Sequence, residues 1–252
     1  MKSSKITALA ALLFTIACPA AFAAPTSKTV ETKGSDARLK FEWELSAVQI
    51  DGLADEQVER RVNEALRERA RSERASMAKD LKDWESTSEL QSYLGVGMTV
   101  GRLDDQVLSL TVSVETMYSG AAHPNHSINA LTFDLRTGEE ITSGSMLGKD
   151  EATRARLAAL VDARMRADAG NYWNDAINPD EYRYDTIEPS DITDVLLEAD
   201  GKVTFVFGNE QIGPHAAGPA FLTLPASDLA GLVAPNSPIA PTVGIAGALP
   251  GR

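Results

Sequence analysis

Three histidines are the entire imidazole complement of this 252-residue chain. Two of them stand at H-x-x-H spacing in His123-Pro124-Asn125-His126, and His215 lies far downstream. Together they could supply three nitrogens, the number of protein ligands a catalytic zinc takes while water holds the fourth position. A metal-dependent envelope hydrolase built on His123, His126 and His215 is therefore the enzymatic alternative. Its context is poor, because a proline interrupts the spacing and no H-E-x-x-H helix frames it. The expected role of His123 is to cap a turn, with His126 on the surface, and no metal ligand or cofactor is assigned.

Nucleophilic chemistry has no better footing. The one cysteine, Cys18, falls in the N-terminal leader, and Ser119 and Ser127 near His123 sit in no G-x-S-x-G elbow. The carboxylate pairs Asp104-Asp105 and Glu139-Glu140 occupy expected turns, where solvated charge accounts for them better than glycosidase chemistry does. No phosphate loop or dinucleotide fingerprint is present. Binding is the better expectation. Tyr172, Trp173, Tyr182 and Tyr184 lie in a polar, acidic excursion and are candidate contact residues, since Tyr and Trp anchor interfaces and stack on sugars.

Thirty-six acidic residues face 24 basic ones, a formal charge of −12. Such a balance opposes nucleic acid and favours cationic partners. Lys2 and Lys5, the apolar run Ala8–Ala17 and Ala21-Phe22-Ala23 have the order of a secretory signal peptide over residues 1–23. The run is shorter than the ~20 residues a membrane span requires, so no span is expected. Periplasmic or secreted localisation follows, with a lipoprotein anchored through Cys18 as the alternative. Cleavage after Ala23 would remove both leader lysines and take the charge to −14.

Residues 24–35 read as a polar linker. Leu39, Phe41, Trp43 and Leu45 alternate with charged residues as a half-buried strand does. Val58, Val62, Leu66, Ala70, Met77, Leu81 and Trp84 form the apolar stripe of a long helix with Asp55 as N-cap. Strands are expected at 96–100 and 107–114, around a Gly101–Asp105 turn, and at 128–135 and 140–142, around Gly138. A second helix begins near Asp150 with Leu157, Leu160, Val161 and Met165 inward. Asp200-Gly201 marks another hairpin, between 195–197 and 203–207. A strand at 221–224 leads to a short helix at 227–233, and the Pro/Gly-rich residues 234–252 read as a disordered tail. The pattern predicts an α+β fold, an antiparallel sheet of hairpins with two main helices on one face.

Two segments carry a family resemblance. In Tyr118–Leu147, Tyr118, Gly120, Ala122 and His123 match a Tyr-x-Gly-Gly-Ala-His motif, with Ala121 in place of its second glycine. In Phe205–Leu229, Gly218 matches, while Gly213 and His215 replace Ala and Tyr around Pro214. These segments closely resemble the extracytoplasmic domain of RsiV-type anti-sigma factors, which also accompanies the catalytic domain of PdaC-type peptidoglycan deacetylases. The resemblance spans residues 36–233, with an N-terminal half at 36–118 and a C-terminal half at 119–233. It implies a non-catalytic envelope module that binds a lysozyme-like cationic protein or cell-wall glycan. Tyr118, Gly120, His123, His215 and Gly218 join the four excursion aromatics as candidate binding residues. The two motifs are expected to meet at one end of the sheet.

Overall fold

The computed structural model describes residues 24–84, 89–148, 150–167, 186–213, 215, 218–234 and 237. The expected signal peptide with Cys18, the aromatics at 172, 173, 182 and 184, and nearly all of the expected tail lie outside them.

A six-stranded sheet takes up its strands in the order of the chain. Strands β1 (Thr26–Asp36) and β2 (Phe41–Asp51) form a long antiparallel hairpin. The expected linker is thus a strand. Its sequence shows no apolar alternation because β1 is a sheet edge exposed along most of its length. Cross-strand pairing holds it instead, through Lys28–Asp51 at 3.1 Å, Lys33–Glu44 at 2.8 Å, and Trp43 lying across the space beside Gly34.

The chain then enters α1 (Glu56–Asp80), where the Asp55 carboxylate accepts from the Gln57 and Val58 amides at 2.8 and 3.3 Å. The helix carries the chain back, so β3 (Ser92–Leu103) pairs with β2 in parallel over only five residues, Phe41–Leu45. Beyond that point Asn63 of α1 substitutes for a neighbouring strand. Its side-chain oxygen accepts from the Ile50 amide and its NH2 donates to the Ile50 carbonyl, each at 2.8 Å. The helix ends four residues before Trp84, whose indole instead donates to the Ser119 carbonyl at 3.1 Å.

Strand β4 (Val107–Met117) follows a turn in which Asp104 accepts from the Gln106 and Val107 amides, both at 2.9 Å. Gly101 belongs to β3, at a bulge, and not to the turn. Strands β5 (Asn125–Asp134) and β6 (Glu139–Glu140) close the sheet around Gly138, whose φ of +75° suits glycine. Phe41, Leu45, Val62, Leu66, Leu94, Val96, Leu110, Val112 and Phe133 fill the core between α1 and one sheet face. Each such side chain contributes roughly 1.5–3 kcal/mol by leaving water.

After the single turn α2 (Ser143–Met146), helix α3 (Glu151–Ala167) begins where Asp150 accepts from the Thr153 amide. Strands β7 (Asp194–Leu197), β8 (Lys202–Phe207) and β9 (Ala220–Pro225) make a second, antiparallel sheet. Leu157, Val161, Met165, Phe205, Phe207 and Leu222 lie in its core. The short C-terminal helix is a single 3-10 turn, Ala226–Leu229, and Val233 bridges back to Leu147.

The architecture is α+β, as the sequence pattern implies. The helices, however, serve separate cores. Val107 and Leu108 are neighbours in β4, and each belongs to a different one, so the second unit docks on the sheet face opposite α1. Buried hydroxyls fasten that junction. Ser109 Oγ accepts from the Leu197 amide at 2.9 Å and lies 2.8 Å from Thr132 Oγ1. The Ala199 amide donates to the Gly101 carbonyl at 3.0 Å, an approach so close that a Cβ on Gly101 would sit 2.7 Å from the Leu197 oxygen.

Candidate functional site

The second unit covers only part of that face. The remainder is an open trough of about 490 Å³ over β2–β5. Strand alternation selects what lines it. Tyr93, Gly95 and Gly97 of β3 alternate with Leu94, Val96 and Met98, which face α1. Ser113 and Glu115 of β4, Glu44 of β2, and His126 and Ile128 of β5 complete the walls, and Pro219 closes one side.

The two glycines make a floor without side chains. The Tyr93 ring lies across Gly95, so that a Cβ there would meet the phenol oxygen at 3.1 Å, and a Cβ on Gly97 would meet Ser113 Oγ at 2.9 Å. Burial, reinforced by the negative charges of Glu44 and Glu115, raises the Tyr93 phenol above its ordinary range. The ring thus lies on the strand position flanked by Glu44 and Glu115, which both pair with Gly95. Glu44 is also paired with Lys33, and Glu115 lies 3.8 Å from His126 Nδ1.

The sequence-derived candidates divide by role. Tyr118 packs against Trp84, the rings tilted by 46° with centroids 5.0 Å apart, and donates to Asp80 at 3.4 Å; burial first, then Asp80, raises its pKa. Its carbonyl accepts from the Ala121 amide across a turn in which Gly120 has φ of +85°. Ser119 is buried and bonded to Ser92 and to the Leu90 carbonyl. Tyr118 and Gly120 thus build the turn. Gly218, at φ +72°, does the same for its own segment by donating to the His215 carbonyl.

The turn brings the two motifs together. The rings of His123 and His215 approach to 5.0 Å between centroids, tilted by 40°. His123 Nδ1 donates to the Pro124 carbonyl at 3.1 Å, and His215 Nδ1 faces Glu210 at 3.8 Å. His126 points elsewhere, to Glu115, so the three-histidine arrangement of the enzymatic alternative does not assemble. Among the described residues no three His, Asp or Glu side chains converge to hold a metal ion, and no helix is long and apolar enough to cross a membrane.

The trough itself escapes a reading based on histidines and aromatic clusters. Its signal was Tyr93-x-Gly95-x-Gly97, a ring and two missing side chains on one face of a strand.

No protein-family model and no curated protein matches this sequence. Several solved structures are similar, and two of them are DUF3298 family proteins. One is a member of the DUF3298 family from Bacteroides fragilis NCTC 9343, with a TM-score of 0.59 and 15% identity, covering 84% of this chain and 94% of that one. The other is a DUF3298 family protein from Pseudomonas aeruginosa PAO1, with a TM-score of 0.52 and 19% identity, covering 90% and 97%. At such identities the likeness is one of fold. The chain has the fold of DUF3298 family proteins, a domain class of unknown function.

Proposed function

We propose that this protein is a non-catalytic binding module of the cell envelope, related to the RsiV/PdaC-like domains, and that the trough seats a cationic protein of lysozyme type. The observation that carries the reading is Tyr93, laid over Gly95 between Glu44 and Glu115 in an open groove. A tyrosine flanked by carboxylates suits an arginine or lysine side chain, by contact with the ring face and by charge. The overall charge of −12 adds long-range steering toward the same kind of partner.

The test is titration calorimetry of the full chain against a lysozyme at low and at physiological salt, where the Debye length is about 8 Å. A seated partner keeps measurable affinity at the higher salt, and Tyr93→Ala weakens it by at least tenfold. Loss of binding at the higher salt, or wild-type affinity in Tyr93→Ala, rejects the reading. Binding of a chito-oligosaccharide in the trough without lysozyme binding rejects the protein partner in favour of cell-wall glycan.

A further inference from the structure

We infer that His123 and His215 form a two-histidine seat for a divalent metal ion of the Ni2+, Cu2+ or Zn2+ kind. The site spans a tertiary contact that the H-x-x-H spacing does not reveal.

A ring nitrogen lies about 1.1 Å from its imidazole centroid, and a Zn–N bond is about 2.0–2.1 Å. Two imidazoles on one ion therefore place their centroids about 5.2 Å apart at the tetrahedral angle and about 4.5 Å apart at a right angle. The centroids here are 5.0 Å apart.

A metal-binding histidine gives its other N–H to a carbonyl or carboxylate, which turns the free nitrogen toward the ion. The Pro124 carbonyl accepts from His123 Nδ1 at 3.1 Å, which leaves Nε2 as the lone-pair nitrogen. His215 has Glu210 facing its Nδ1 at 3.8 Å. Glu210 holds that place from a backbone φ of +62°, a conformation non-glycine residues seldom adopt. His123 thus has its Nδ1 engaged, whereas the 3.8 Å between His215 Nδ1 and Glu210 is an ion-pair distance and not a hydrogen bond.

The chemistry of the ion follows. Two neutral imidazoles suit borderline ions, with Cu2+ held more tightly than Ni2+ or Zn2+, and leave positions open to water or a partner's side chain.

The experiment is calorimetric titration of the full chain, stripped of metal by a chelator that is then removed, with ZnCl2 and CuCl2. One equivalent is expected, with His123→Ala and His215→Ala each lowering affinity at least tenfold. His126→Ala and Tyr93→Ala should bind as wild type, which separates this site from the trough. Copper supplies a second readout, because its visible and paramagnetic resonance spectra report nitrogen ligation that either substitution removes. Urea midpoints of the variants in the absence of metal show whether they remain folded. Failure to take up one equivalent of either ion, or uptake that survives both substitutions, would mean that the rings are merely packed.

Discussion

Removing the Ser109 hydroxyl should loosen the joint on which the second unit sits. Ser109 and Leu197 are 0% and 1% exposed, and Thr132 is 2% exposed, so water cannot replace a lost partner. In Ser109→Ala the Leu197 amide is left buried and unpaired, at a cost of about 1–3 kcal/mol. Thr132 also loses a neutral hydrogen bond worth about 1 kcal/mol. The expected destabilisation is about 2–4 kcal/mol. Taking an m-value of about 2–3 kcal/mol/M, the urea midpoint falls by roughly 1 M at unchanged m. Thr132→Val added to Ser109→Ala should cost less than the two single changes combined, because they share one contact. A Ser109→Ala unfolding free energy within about 0.5 kcal/mol of wild type would refute the idea that these hydroxyls hold the two units together.

Asn63→Ala leaves both polar groups of Ile50 without their partner and should destabilise by roughly 2–4 kcal/mol in urea denaturation. Asn63→Asp keeps the acceptor but loses the donor, and its deficit should shrink at acidic pH, where a protonated carboxyl can donate again. Gly101→Val drives a side chain into the Leu197 carbonyl and should lower the melting temperature more than Gly144→Val, whose Cβ would meet nothing within 4 Å. Tyr93 should ionise above the ordinary tyrosine value of about 10, read at 295 nm as the difference between wild type and Tyr93→Phe. Glu44→Gln with Glu115→Gln should bring that ionisation down. Because the folded-state pKa is the higher one, the stability it contributes is complete below the unfolded-state value and is lost as pH rises through the folded-state value.

The sequence was most legible where a face is buried or a turn needs a particular residue. The α1 stripe, its Asp55 cap, the Gly138 and Asp200-Gly201 turns and the apolar face of α3 all lie within a few residues of their expected positions. The edge strand β1 was illegible because its order comes from pairing with β2 and not from burial. The parallel β2–β3 contact depends on where α1 returns the chain, which periodicity does not encode. In the site, motif resemblance brought attention to His123 and His215, and these do meet. His126, grouped with them by spacing, turns instead to Glu115 through strand register. Glu44, Tyr93 and Glu115 come from three strands whose alignment only the assembled sheet provides.

The central claim is that the trough is where a partner sits. Amide chemical-shift mapping of the 15N-labelled full chain with a lysozyme, at physiological salt, tests it most directly. The largest changes are expected on Tyr93, Gly95, Gly97, Ser113 and Glu115. Changes gathered instead on the arginine-bearing face of α1 around Arg67, Arg71 and Arg74, or spread evenly over the acidic surface, would contradict it.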